Sequence, residues 1–199
     1  MRSPLIRLLL LASAACTGRS DSAPARDSAS PPPAKAAERD CGVTPSTALT
    51  GEGIGELRVG RPVDEVARWC HVLRDTTERR EEGQPVRVVT VELGRDTIEA
   101  EAVDGRVWRL AVEHTAFRTT DSLGVGTPLA RLLELPDVHG ASGEGAVFAL
   151  SPRHCGLSFR LSDGGSRTPR GGWTAGALRA LPPRTRVTEV LVIGRAGCE

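Results

Sequence analysis

The side chains best suited to metal binding or acid–base catalysis are four histidines, His71, His114, His139 and His154. No two of them are four residues apart, and the sequence has no Cys-x-x-Cys pair, so the usual spacing of zinc ligands is absent. His154 precedes Cys155, but adjacent residues on a strand point to opposite faces of a sheet. We therefore predict no metal site and no cofactor.

Nucleophilic catalysis also lacks a signature in this sequence. There is no Gly-x-Ser-x-Gly motif, and Ser142–Gly145 reads as a flexible loop. The glycines of Gly51–Gly55 precede a strand with no lysine after them, which indicates tight turns rather than phosphate binding. We predict no enzymatic activity; a small-molecule binder or a hydrolase that uses the face of a sheet is the alternative.

Residue types common in binding contacts are concentrated between Ser162 and Thr185. This segment is about twenty residues longer than the equivalent Asp104-Gly105 turn, and such insertions are often functional or disordered. It contains Arg167, Arg170 and Trp173, and Arg and Trp are favoured at binding hot spots. We predict an interaction loop; the alternative is that Trp173 folds back onto the sheet.

The charge balance bears on the class of partner. The chain has 26 basic and 25 acidic residues, and no basic stripe is interleaved with aromatic residues. We predict no nucleic-acid binding.

The amino terminus has the layout of a secretory signal peptide over residues 1–15. Arg2 and Arg7 form a positive start, an apolar run extends from Leu8 to Ala12, and small residues follow up to Ala15. The run is far shorter than the ~20 residues of a transmembrane helix. Residues 16–40 are rich in Ser, Ala and Pro, and we predict a disordered tether there. The remaining residues, 41–199, match the size of one domain.

Cys16 directly follows Ser13-Ala14-Ala15, which resembles the lipobox of bacterial lipoproteins. The resemblance implies a lipid on Cys16, although the family usually has Leu at the position of Ser13. Ordinary cleavage at Ala12-Ser13-Ala14 is the alternative, and would give a soluble periplasmic or secreted protein. Thr17 is not the Asp that retains many lipoproteins in the inner membrane, so the resemblance favours the outer membrane.

An internal repeat organises residues 41–199. Leu57–Val63 recurs 66 residues later as Leu123–Leu129, and in both copies a proline, Pro62 or Pro128, marks the start of a predicted helix.

Three strand-like runs follow each helix. Ile98, Ala100 and Ala102 alternate with glutamates, as in a sheet with one solvated face. We predict an α+β fold of two tandem β-α-β-β-β units, at about 54–113 and 120–195, whose antiparallel sheet is packed by two short helices. The predicted strands are Val86–Leu93, Thr97–Val103, Arg106–Glu113, Ala146–Leu150, His154–Leu161 and Arg186–Ile193.

A tandem helix-plus-antiparallel-sheet unit in an exported chain resembles the β-lactamase inhibitor protein fold and small outer-membrane assembly lipoproteins. Gly60 with Glu65-Val66 fits the helix start of those families, whereas the second copy has Gly126 but Arg131-Leu132. The resemblance covers about residues 50–195 and implies protein–protein binding without catalysis.

The cysteine count suits an oxidising compartment, because removing Cys16 leaves an even set of four. Four cysteines allow three connectivities. From their positions relative to the predicted elements we expect Cys155–Cys198 and Cys41–Cys70. The sequence thus predicts an exported, lipid-anchored envelope protein that contacts the membrane through its lipid alone. Its non-catalytic domain would bind a protein or ligand of unknown identity.

Overall fold

The structure is a computed structural model that describes residues 39–44, 46–79, 85–165 and 168–195. The described residues contain three helices, α1 (Val63–Trp69), α2 (Leu129–Leu132) and α3 (Ala175–Arg179), and a 3-10 turn at Pro152–His154. The strands are β1 (Gly53–Ile54), β2 (Leu57–Arg58), β3 (His71–Arg79), β4 (Pro85–Leu93), β5 (Asp96–Val103), β6 (Arg106–Val112), β7 (His139–Gly143), β8 (Ala146–Leu150), β9 (Leu157–Leu161) and β10 (Val187–Val192). The fold class is α+β, as predicted.

Eight strands form one antiparallel sheet in the order β3-β4-β5-β6-β10-β9-β8-β7. The last strands of the two units, β6 and β10, pair at its centre. Each helix, α1 or α2, is followed by four strands rather than the three predicted. The sequence missed the edge strands: β3 has no fully buried residue, and β7 has the sequence HGASG, so neither shows apolar alternation.

The two units make equivalent backbone hydrogen bonds where each helix begins and its last strand starts. Before the helix the units differ: β2 of the first unit pairs with β1 in a separate small sheet, whereas the matching Leu123–Val125 forms no strand. The matched bonds are Gly60 N to Val107 O and Gly126 N to Val187 O, both 2.7 Å, and Val63 N to Gly105 O and Leu129 N to Thr185 O, both 2.9 Å.

All three helices pack on one face of the sheet. One buried cluster joins the helices to the strands, and its members at this contact are at most 2 % exposed: Val63, Leu132 and Leu178 from the helices, and Ile98 and Phe159 from the strands. Burial of one such side chain contributes about 1.5–3 kcal/mol. The inward alternation predicted for β5 is present, because Ile98, Ala100 and Ala102 are all buried.

A disulfide joins Cys41 to Cys70, as predicted, and both residues are buried. It ties the start of the described chain to the end of α1. Cys155 is disulfide-bonded as well, but it lies in a turn before β9 and not within the strand predicted to start at His154. Its expected partner, Cys198, lies outside the described residues, as does Cys16, so the Cys155–Cys198 pairing stays a prediction.

Candidate functional site

The predicted interaction loop does not present its tryptophan to solvent. Trp173 is 7 % exposed and belongs to the main core. Its indole Nε1 donates to Ser142 Oγ (2.7 Å). Its carbonyl oxygen accepts from Gly140 N (2.5 Å). Arg170 is exposed, and Arg167 lies outside the described residues. The sequence predicts Trp173 to be an exposed contact residue, but it is a core residue. Its indole packs in an apolar site beside β7 and donates a hydrogen bond to Ser142 there.

The insertion instead covers the edge of the sheet at β7. Its helix α3 packs on β7, and the hydroxyl of Thr168 is 3.0 Å from that of Ser142. A Cβ added to Gly140 would lie 2.6 Å from the Cβ of Trp173, so the close contact requires glycine. An uncovered edge strand invites pairing with other chains, and covering it is a common protection.

The helix-free face of the sheet is concave. Glu144, in the turn between β7 and β8, contacts the guanidinium of Arg109 on β6. β6 and β8 are three strands apart, which is about 14 Å in a flat sheet. The register of the strands between them also aligns Arg109 with the start of β9 and Glu144 with the opposite end of β9. Their contact therefore requires the β7–β8 hairpin to curl across this surface, which we call the concave face.

A β-bulge in β6 brings Trp108 to the concave face. Glu101 pairs with Arg109 and Ala102 pairs with Val107, so Trp108 is the extra residue between them. In such a bulge two consecutive side chains project to similar sides. The guanidinium carbon of Arg109 lies 4.7 Å from the centre of the Trp108 ring. Trp108 is therefore beside Arg109 and not on the core face with Leu110, where simple alternation would place it.

Three exposed apolar side chains lie on the same face as Arg109, on its own strand or next to it. Trp108 is 40 %, Val103 42 % and Ile193 44 % exposed. Val103 follows Glu101 by two residues on β5, and Ile193 is level with Arg109 beyond the end of β10, so all three belong to adjacent strands of the concave face. We call them the concave-face patch.

A network of ion pairs fixes the side chain of Arg109 next to this patch. Arg109 donates to Glu101 (2.8 Å), whose side chain is 3 % exposed, and to the more exposed Glu144. Burial by itself would lower the pKa of Arg109, but the hydrogen bonds that it donates to both glutamates outweigh burial and raise that pKa. Further along the face, Arg160 donates to Glu189 (3.0 Å). Arg109 is therefore held charged and in one orientation.

A polar cleft of about 470 Å³ lies elsewhere in the domain, between Thr50-Gly51 and the turn before β9. There His154 Nε2 is 2.9 Å from Asp121 Oδ2, and Thr119 donates to Asp121 Oδ1 (2.5 Å). Burial raises the pKa of Asp121, but the hydrogen bonds from Thr119 and His154 outweigh it and lower that pKa. The pair resembles the acid–base half of a catalytic triad.

No nucleophile completes this arrangement among the hydrogen bonds of the described residues. The neighbouring Cys155 is disulfide-bonded and so has no free thiol. Two other histidines also pair with carboxylates: His71 with Glu92 (2.6 Å) and His114 with Asp96 (2.9 Å). In the described ranges, no three His, Cys, Asp or Glu side chains are grouped to hold a metal ion. Nor is any described helix long and apolar enough to cross a membrane.

Comparison with known proteins places this chain by its fold. No protein-family model and no curated protein matches it. Among solved structures it is similar to the uncharacterized protein yfeY from Escherichia coli, with 21 % sequence identity and a TM-score of 0.51. The match covers 73 % of this chain and 98 % of that one. The likeness shows a shared α+β architecture across nearly the whole of that protein.

Proposed function

We propose that this protein is an exported, lipid-anchored envelope protein whose α+β domain binds another protein through its concave face, without catalysis. The observation that carries the proposal is the concave-face patch of Val103, Trp108 and Ile193 around Arg109. Trp and Arg carry much of the energy of protein interfaces, especially where neighbouring apolar groups exclude water.

Preorganisation makes this patch more suitable than the insertion loop. The Trp108 ring stacks on Arg109, and Arg109 is itself fixed by Glu101 and Glu144. A side chain that is already ordered loses less conformational entropy when a partner binds. The resemblance to the β-lactamase inhibitor protein fold likewise implies protein–protein binding.

The binding proposal is tested by comparing two tryptophans of similar exposure. Trp108→Ala removes the centre of the concave-face patch, whereas Trp69→Ala removes a tryptophan that is 50 % exposed at the end of α1. We expect Trp108→Ala to lower retention of an envelope partner roughly ten-fold or more, and Trp69→Ala to leave it unchanged. The measurement is affinity capture from solubilised envelopes of the source cell, with unfolding midpoints confirming that each variant is folded.

Equal retention by the wild type and the Trp108→Ala variant would reject the concave face as the binding surface. Loss in both variants would point to a general defect instead. A photo-reactive residue in place of Ile193 provides an independent arm. It should cross-link to the captured partner, and the same residue in place of Leu73, which is 53 % exposed elsewhere, should not.

The anchor has its own test at Cys16. Acylation of this residue, together with an amide-linked chain, would hold the protein stably on a membrane. We expect Cys16→Ser to move the protein from the membrane fraction to the soluble fraction and to remove the mass of the lipid. Unchanged fractionation and mass would favour ordinary cleavage near Ala14 and a soluble exported protein, the alternative that the signal region leaves open.

A small-molecule binder or hydrolase remains the second candidate, and the Asp121–His154 pair favours it. The cleft offers the carboxylate of Asp121, with the imidazole of His154 and the hydroxyl of Thr119 each within hydrogen-bonding distance of it. Saturable binding or turnover of a small molecule that is abolished by His154→Gln, but not by His114→Gln, would support this candidate. His114 is a suitable control because it also pairs with an aspartate.

A further inference from the structure

Two more large apolar side chains are exposed, in a different part of the described structure. Trp69 is 50 % and Leu73 is 53 % exposed, and they lie on either side of Cys70 along the chain. Leu73 is at a break in the β3–β4 register, which accounts for its departure from the packing of Val72. We call Trp69 and Leu73 the junction patch.

The amino-terminal segment joins the domain at this same place. Asp40 bridges to Cys70, His71 N donates to Arg39 O (3.0 Å) and Cys41 N donates to Trp69 O (2.7 Å). The Cys41–Cys70 disulfide fixes the junction covalently. The chain that arrives from Cys16 is therefore attached within a few residues of Trp69 and Leu73.

We propose that the junction patch rests on the phospholipid interface of the membrane that carries the lipid anchor. This inference builds on the proposed acylation of Cys16. Residues 17–38 separate that cysteine from Arg39, and 22 residues span on the order of 25–30 Å. A tether of this length raises the local concentration of its attachment point at the surface to roughly millimolar. A weak contact between the domain and the lipid is then sufficient to be occupied.

The residue types fit a lipid interface better than a charged partner. Tryptophan is enriched at membrane–water interfaces, where its ring is partly apolar and its N–H stays hydrated. Two arginines beside the patch pair with glutamates, Arg68 with Glu65 and Arg74 with Glu78, and His71 Nδ1 lies 2.6 Å from Glu92 Oε2. Arg39 donates to the carbonyl oxygen of Ala67, and the adjacent Asp40 carries the opposite charge. The contact is therefore apolar in origin, and its strength depends little on salt or on anionic lipid.

The three tryptophans of the chain allow a direct test. Trp173 is buried, so Trp108→Phe leaves Trp69 as the exposed tryptophan, and Trp69→Phe leaves Trp108. Each full-length lipidated variant is reconstituted into phosphatidylcholine vesicles with or without brominated acyl chains, which quench fluorescence on contact. We expect the brominated lipid to lower emission of the Trp108→Phe variant about two-fold and to leave the Trp69→Phe variant nearly unchanged.

Equal quenching in both variants, or quenching of the Trp69→Phe variant alone, would overturn the inference. Leu73→Ser in the Trp108→Phe background should weaken the quenching, and high salt should not. Loss of quenching at high salt would overturn the apolar contact and assign the proximity to the arginines. If Trp69→Ala changes the oligomeric state in detergent while bromination has no effect, a second copy occupies the patch instead of lipid.

Flotation of the vesicles separates this inference from the anchor on which it rests. Protein that does not float with the vesicles shows that the anchor is absent. Protein that floats without quenching of Trp69 shows a working anchor and a free junction patch, which rejects only the present inference.

Discussion

Replacing Trp173 by alanine is expected to destabilise the domain by about 3–5 kcal/mol, the usual cost of truncating a large buried aromatic side chain. The residue is 7 % exposed and packs in the main core. The substitution also leaves the hydroxyl of Ser142 without its indole donor. Urea unfolding followed by far-ultraviolet circular dichroism measures the change without relying on tryptophan fluorescence.

The same loss should expose the edge of the sheet, because the insertion covers β7 through Trp173. Gly140→Ala tests the packing from the other side, since its Cβ would lie 2.6 Å from the Cβ of Trp173. Gly143→Ala on the same strand is the control, because its Cβ would meet Phe148 at an ordinary 3.7 Å. We expect aggregation on mild heating, followed by light scattering, for Trp173→Ala and Gly140→Ala but not for Gly143→Ala.

Arg170→Ala provides the matched variant within the insertion. Arg170 is exposed, so its replacement should change the free energy of unfolding by no more than about 0.5 kcal/mol. A Trp173→Ala variant as stable as Arg170→Ala would mean that the insertion neither packs on nor protects β7. The Ser162–Thr185 segment would then again be a candidate interaction loop.

Glu101→Gln is expected to cost about 3–5 kcal/mol, the range for breaking a buried ion pair by removing one partner. Arg109 is 9 % exposed and Glu101 is 2 % exposed, so the arginine that remains has little access to water. Glu144, the other carboxylate on Arg109, is about half exposed and compensates the charge only partly. Chemical denaturation of the variant and the wild type measures the difference.

A double-mutant cycle with Arg109→Gln isolates the pair itself. The double variant should lose less stability than the sum of the single variants, by about 2 kcal/mol, because neither charge is then left buried alone. Glu144→Gln removes an exposed carboxylate from the same arginine and should cost about 1 kcal/mol or less. Additive single effects, or equal costs for Glu101→Gln and Glu144→Gln, would contradict a buried pair that holds Arg109 in place.

This second prediction bears on binding as well as on stability. The concave-face patch depends on Arg109 for the position of Trp108, whose ring the guanidinium covers. Glu144→Gln, which should leave the fold intact, is therefore the better variant for asking whether a fixed Arg109 contributes to partner binding. A binding loss there without a loss of stability would show that orientation of Arg109, rather than folding, is what the partner needs.

The bulge at Trp108 follows from the burial of the residues on either side of it. Val107 and Leu110 are both apolar and both buried, yet an odd number of steps separates them on one strand. Strict alternation would put them on opposite faces of the sheet. The Asp104-Gly105 turn pairs Val107 with Ala102. The alternation of side chains between the two faces must therefore shift by one residue between Val107 and Leu110. The inserted residue is the one that becomes exposed.

The edge strands and the packed insertion have no local signal in the sequence. β3 carries charged residues on both sides and β7 is built of small residues, so neither shows the apolar period of a strand. Their structure comes from pairing with β4 and β8, which do show it. Asp121 and His154 are likewise 33 residues apart and meet only because the chain between the units packs on the turn before β9.

The sequence by itself determined the α+β class, the paired cysteines Cys41 and Cys70, and the repeated helix starts at Pro62 and Pro128. These features follow from local periodicity, backbone restriction and the position of cysteines relative to elements, which act within one element or between neighbours. The tertiary structure alone decided that Trp173 is buried and Trp108 is exposed. Burial of a side chain depends on which distant strands cover it, and that is settled by the curl of the whole sheet and by the edge the insertion closes.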